Sequence, residues 1–173
     1  QLGYDFLSSY ADLILILCDR NTGRMLQAMQ NSENNFRQQQ HCPYTPPWIN
    51  AATAAAVVRY EQNRTQEAML LLEDLVPVVN SSCATEIIAY TYLTLSRLLS
   101  LRQENARAAR LLSQLKRILQ MGNYDRFMSQ VVYEELRQAH AENDMDAMDR
   151  IAEANQLQER MSSGTWRRTR AYD

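Results

Sequence analysis

The sequence predicts an all-α fold in which about four antiparallel helix pairs stack to form an α-solenoid. The composition favours helices: Gly and Pro number four each in 173 residues, while residues that lose little side-chain freedom in a helix are abundant. Four short polar breaks also recur, each between two apolar segments with helical periodicity. Marked by Asn21, Asn63, Glu104 and Asn143, the breaks lie 42, 41 and 39 residues apart. A helix pair that recurs about every forty residues is typical of a solenoid.

The first helix pair is predicted within residues 5–38. Its first helix covers about residues 5–18, because the apolar residues there follow the spacing of a buried helical stripe. That stripe consists of Tyr10, Leu13, Ile14 and Leu17. The second helix, about residues 23–38, turns polar after Met29, and we expect its end to fray into a loop rich in Gln and Asn.

The second pair is predicted to begin at Thr45, which can cap a helix whose first turn contains Pro46. Alanines continue this helix to about residue 62 and allow another backbone to approach closely. Asn63, with Gln66 three residues later, resembles a capping box for the fourth helix. We expect Pro77 to kink or end that helix, since proline has no N–H for the helical hydrogen bond.

The third and fourth pairs follow the same pattern. Ser82 is expected to cap the fifth helix, and the sixth helix follows Glu104. Gly122 is predicted to end the sixth helix with a positive φ, and Asn123 to start the seventh. The eighth helix is predicted to start after Asn143.

Polar residues 162–164 are expected to end the eighth helix. We therefore assign residues 1–161 to one helical-repeat domain and residues 162–173 to a C-terminal tail. The net charge is −2, and basic residues are mixed with acidic ones except in the tail. The tail contains Arg167, Arg168 and Arg170, which we interpret as solvated. A nucleic-acid-binding face needs clustered basic charge, so we expect this chain itself to bind no nucleic acid.

Hydropathy and cysteine usage bear on location. The longest apolar stretch, residues 13–18, is far too short to span a membrane. The three cysteines, Cys18, Cys42 and Cys83, are odd in number and lack metal-ligand spacing. This pattern fits a reducing compartment better than a disulfide framework, so we expect a cytoplasmic protein.

No residue pattern predicts catalysis. The sequence has no Gly-rich phosphate loop and no Cys/His or Ser/His pairing in a distinctive context. Neither His41 nor His140 has a Glu three residues before it, as a diiron helical bundle requires. Glu134 and Glu135 are adjacent, which could suggest acid–base chemistry, but we expect them on a solvated helix face. We therefore expect no enzyme, no metal and no cofactor.

Residues 58–68 read VRYEQNRTQEA, and they continue as LLE at residues 71–73 and LVP at residues 75–77. This stretch resembles the helical-repeat region of MalT-type, LuxR-family ATP-dependent bacterial transcriptional regulators, and the resemblance covers about residues 50–160. It implies tetratricopeptide-like repeats and a sensor that binds a small-molecule inducer or a regulatory protein. In such regulators the nucleotide-binding and DNA-binding modules lie outside the sensor. Because the chain begins at Gln1 without Met, we expect it to be part of a longer protein.

In repeats of this kind the first helix of each pair lines the concave face. Alignment on Ala68, Ala108 and Met148 then implies nine groove positions by spacing. They are Asn50, Thr53, Tyr60, Tyr90, Arg97, Gln130, Tyr133, Arg137 and His140. Arg97 and Arg137 occupy equivalent positions and would suit an anionic or sugar-like ligand. The alternative is that both are surface arginines paired with acids one turn away.

The sequence thus favours an effector-sensing domain of a bacterial regulator. The alternative is a protein–protein interaction scaffold without a small-molecule ligand. A third interpretation is a spacer whose parent holds the ligand site in other repeats. Because four stacked pairs can leave apolar end surfaces uncovered, we also expect the isolated chain to self-associate.

Overall fold

The computed structural model describes residues 2–79 and 84–155, with the side chains of the first stretch described from Phe6 onward. This part of the chain contains eight α-helices and no strand, which confirms the predicted all-α class. A single 3-10 turn, Asp125–Phe127, precedes the seventh helix. The helices are α1 (Leu2–Asn21), α2 (Met25–Gln39), α3 (Pro46–Glu61), α4 (Thr65–Val79), α5 (Thr85–Leu101), α6 (Asn105–Met121), α7 (Met128–Ala141) and α8 (Met145–Ala154).

The helices pack in the order of the chain. Each helix contacts the next one, and α1–α2, α3–α4, α5–α6 and α7–α8 form four helix pairs. In addition α1 packs on α3, α3 on α5, and α5 on α7, so the odd-numbered helices form a continuous layer that we call the odd-helix layer. One apolar core runs through this arrangement, and Tyr92 of α5 is its largest fully buried side chain.

The turn inside each helix pair has the same backbone geometry. One residue in each turn has a positive φ: Gly23, Asn63, Gln103 and Asn143, at 81°, 60°, 63° and 55°. The next residue donates its N–H to the carbonyl five positions back over 2.8–2.9 Å, which is the long hydrogen bond of a Schellman turn. The intervals between these four residues are 40 residues in every case. When the four breaks are counted from these left-handed residues, their spacing is therefore uniform.

The end of α6 corrects the prediction for Gly122. Its φ is −92°, and the left-handed residue is Asn123, with φ 54°. Asn tolerates this region because its short polar side chain can bond to nearby backbone. A Cβ on Gly122 would overlap the Tyr124 ring in its present position, while the φ of Gly122 is one that any residue adopts. The chain passes through the 3-10 turn before α7 starts, so the prediction that Asn123 starts the seventh helix is wrong.

The capping box predicted for α4 is wrong, and of the kink or end predicted at Pro77 the end is not found. Asn63 is the left-handed turn residue rather than a cap, and Arg64 immediately precedes the helix. The Arg64 carbonyl accepts the N–H of Ala68 over 3.1 Å. Pro77 does not end α4, which continues to Val79. Proline is tolerated there because only one helical bond, to the carbonyl of Glu73, is lost in the last turn. The predicted cap Ser82 and residues 162–164 lie outside the described residues.

Within residues 2–79 and 84–155, no helix is both long enough and apolar enough to cross a membrane. Cys18 and Cys42 are free and exposed.

Candidate binding site between α5 and α7

The nine groove positions predicted from the sequence all lie in the odd-helix layer. Three are on α3, two on α5 and four on α7. The structure divides them into side chains that tie helices together, aromatic side chains at the layer's surface, and a charged and polar cluster between α5 and α7.

Asn50 and Thr53 connect helices within the layer. The side-chain amide of Asn50 donates to Ser9 Oγ of α1 over 2.9 Å, and the hydroxyls of Thr53 and Thr91 lie 3.3 Å apart between α3 and α5. Both side chains are fully buried. In this structure neither one reaches solvent, so each contributes to packing between helix pairs.

Tyr60 and Tyr90 are half-buried. The Tyr90 ring meets the ring of Phe127 edge-on, with centroids 6.0 Å apart. The guanidinium carbon of Arg20, from the first helix pair, lies 5.8 Å from the Tyr90 ring centroid. A cation at this distance is attracted to the ring face, so Arg20 covers part of the Tyr90 surface.

Arg97 and Arg137 converge on one carboxylate. Arg97 Nε donates to Glu134 Oε1 over 2.6 Å, and Arg137 Nε donates to Glu134 Oε2 over 2.8 Å. The Glu134 side chain is only 1% exposed. The expectation that Glu134 lies on a solvated face is therefore wrong, because α7 directs this side chain toward α5, where two guanidiniums replace water.

Arg137 also carries a buried hydrogen-bond donor that has no acceptor. Its Nη2 is inaccessible and finds no partner within the part of the chain that the structure describes. Buried donors are nearly always paired, so this one marks a place where an acceptor from a ligand or a water would be stabilised. With two guanidiniums for one carboxylate, the cluster has excess positive charge and would suit an anionic group.

The remaining predicted positions surround Arg137 on α7. Gln130, Tyr133 and His140 are exposed, with Tyr133 at 48%. Their spacing of three, four and three residues around Arg137 places all four on one face of the helix. On the neighbouring side, Gln138 Nε2 donates to Ser100 Oγ over 3.2 Å and adds a second polar tie between α5 and α7.

Sequence reasoning missed the role of Glu134. The forty-residue register aligns it with Ala54 and Thr94, which are both buried. The alignment predicts that Glu134 is paired, because a charged residue at a position that is buried in neighbouring helix pairs needs charged partners. Glu135, one residue on, pairs with Lys116 Nζ over 2.9 Å and links α7 to α6.

Charged side chains also join the first helix pair to the second and the second helix pair to the third. Glu33 of α2 accepts hydrogen bonds from Nε and Nη2 of Arg59, each over 2.8 Å. It also forms an ion pair with Arg64 at 2.9 Å. The hydrogen bond from Arg59 holds the pKa of Glu33 below its ordinary value, although partial burial opposes the shift. One period later Glu73 pairs with Arg107 at 3.0 Å.

No set of three or more His, Cys, Asp or Glu side chains within the described ranges is arranged to hold a metal ion. Comparison with family models, curated proteins and solved structures finds no match to this chain. The observations therefore define an all-α chain of packed helix pairs with a charged site between the third and fourth pairs.

Proposed function

We propose that this chain is an effector-sensing domain of a tetratricopeptide-like α-solenoid, and that an anionic group of the effector binds between α5 and α7. The observation that carries the proposal is the sharing of Glu134 by Arg97 and Arg137, together with the unpartnered Nη2 of Arg137. The chain itself would act by binding, without catalysis or a cofactor.

The repeat geometry supports the solenoid part of the proposal. The left-handed turn residues recur at intervals of 40 residues, and each odd-numbered helix packs on the next one. In a solenoid each pair contacts mainly its neighbours, so a ligand held between two pairs acts on one interface. A differential affinity of about 1–3 kcal/mol for one arrangement of α5 and α7 is enough to shift the population.

The resemblance of residues 58–77 supports the assignment to a regulator. We propose that the parent protein is a cytoplasmic bacterial regulator of the LuxR/MalT type. DNA and nucleotide binding would then belong to other parts of that protein. The effector would be a small-molecule inducer or a regulatory protein that presents a carboxylate or phosphate to the arginines.

Isothermal titration calorimetry with a panel of anionic metabolites tests the site. Arg97→Ala and Arg137→Ala should each weaken binding of a hit by about tenfold or more, since each removes a charge-assisted hydrogen bond. Arg117→Ala is the matched control, because Arg117 is exposed on α6 and lies outside the cluster. Equal affinity in wild type and in both site variants would rule out the arginine site.

A second candidate function, a protein–protein interaction scaffold, is favoured by α8. This helix has no buried residue, and Met145 is 63% exposed on it. Met148 and Ile151, at helical spacing from Met145, are only partly covered. A scaffold should retain a stoichiometric protein partner without added metabolite, and Met145→Asp should abolish that retention. The expected self-association of the chain uses the same surface, and light scattering at high concentration tests it.

A further inference from the structure

A second concave site involves α5 and two other helices, and it contains none of the residues of the arginine cluster. A pocket of about 370 Å³ opens between α4, α5 and α6. Its apolar lining is formed by Val76, Pro77, Leu95, Leu99 and Leu111. Leu95 and Leu99 are buried and form its floor. The volume lies within the range of about 300–1,000 Å³ that is usual for small-molecule sites.

The polar lining of the pocket consists of Glu73 from α4 and of three side chains from one face of α6. Arg107 forms ion pairs with Glu73 and Glu104, so its positive charge is already compensated. Arg110 and Gln114 lie one helical turn apart and also line the pocket. Neither side chain has a hydrogen-bond or ion-pair partner among residues 2–79 and 84–155. Two adjacent donors, one of them charged, are thus available at the edge of an apolar pocket.

The forty-residue register shows why the pocket is open. One period earlier, Phe36 and Arg59 stand at the positions of Val76 and Leu99. Phe36 is only 9% exposed, and the guanidinium carbon of Arg59 lies 5.3 Å from its ring centroid. Two large side chains therefore pack on each other between the first and second helix pairs, whereas smaller residues stand at the equivalent positions between the second and third pairs.

We propose that this pocket binds a small amphipathic carboxylate. The aliphatic or aromatic body would lie against Leu95, Leu99 and Val76, and the carboxylate would accept hydrogen bonds from Arg110 and Gln114. The guanidinium supplies the opposite charge, and the leucines supply a surface that excludes water. This site shares no residue with the one between α5 and α7, so each is tested independently.

Octanoate is a suitable probe, and a titration of the full ¹⁵N-labelled chain followed by NMR measures its binding. We expect saturable shifts confined to amides around the pocket, with a dissociation constant of about 1 mM or lower. Octanamide has the same chain length without the charge, and it should bind roughly fivefold or more weakly.

Two variants separate charge recognition from shape. Arg110→Ala should weaken octanoate binding about fivefold and leave octanamide binding unchanged. Val76→Phe, which introduces the side chain found one period earlier, should abolish binding of both probes. Arg117→Ala, which removes an exposed arginine two helical turns beyond Arg110 and outside the pocket lining, should bind octanoate like the wild type. Thermal melts by circular dichroism establish that each variant is folded. Absence of saturable octanoate binding to the wild type, or equal affinity in wild type, Arg110→Ala and Val76→Phe, would overturn the proposal.

Discussion

Arg97 of α5 and Glu134 of α7 form an ion pair between consecutive helix pairs, with Nε donating to Oε1 over 2.6 Å. Glu134 is almost completely buried, and Arg137 occupies its other oxygen. A buried carboxylate is stable only when its partners replace the lost water, so the two arginines are required for packing as well as for the proposed binding.

Replacement of Arg97 should destabilise the fold. We expect Arg97→Ala to lower the free energy of unfolding by about 1–3 kcal/mol, because Glu134 would keep only one of its two charged partners. Urea denaturation measures this change. Arg117→Ala, which removes an exposed arginine, should change stability by less than about 0.5 kcal/mol. Similar losses in both variants would contradict the structural role of the pair.

The two buried hydroxyls of Thr53 and Thr91 should behave non-additively. Thr53→Val or Thr91→Val alone should cost about 1–2 kcal/mol, because each leaves the other hydroxyl buried without its partner. The double variant should cost less than the sum of the two single changes, since both polar groups are then removed. A double-mutant cycle by chemical denaturation measures the coupling, and strict additivity would show that the hydroxyls do not interact.

Stability should depend on pH through Glu33. Arg59 lowers the pKa of Glu33 in the folded chain below the ordinary value of 4.5, so this group stabilises the fold above that pH. The contribution is lost as the pH falls through the lowered pKa, because the folded state must then take up a proton that the unfolded state already holds. Glu33→Gln should flatten the decline in stability between about pH 5 and pH 3. Glu153→Gln, an exposed residue of α8, serves as the control, and an unchanged acid limb in Glu33→Gln would refute the assignment.

Two glycines should respond differently to the same substitution. Gly23→Ala should cost about 1–2 kcal/mol, because Gly23 has a φ of 81° and the strain is in the backbone alone. Gly122→Ala should cost less than about 0.5 kcal/mol, since the backbone there is right-handed and the half-exposed Tyr124 ring can turn away. Thermal or chemical denaturation compares the two. Equal losses would show that φ does not decide the cost at Gly23.

The local features of this chain follow from its sequence. The apolar stripe of α1, the alanines of α3 and the polar breaks between helices predict the helices, because spacing and turn residues act over a few positions. The equivalence of Arg97 and Arg137 also follows from spacing alone. Whether Asn63 caps a helix or bends the chain could not be read from its neighbours, since the same residue type serves both purposes.

Features that depend on neighbouring helices required the tertiary structure. Glu134 is polar and sits beside Glu135, so its sequence context indicated solvent, but the packing of α7 on α5 buries it against two arginines. The size of Val76 and Leu99 could be read from the sequence, but that they leave a pocket between α4, α5 and α6 depends on how those helices pack. The sequence by itself thus determined the helices and their period, through interactions within a few residues. The tertiary structure alone decided which charges are shared and where space remains, because those outcomes depend on contacts between residues far apart in the chain.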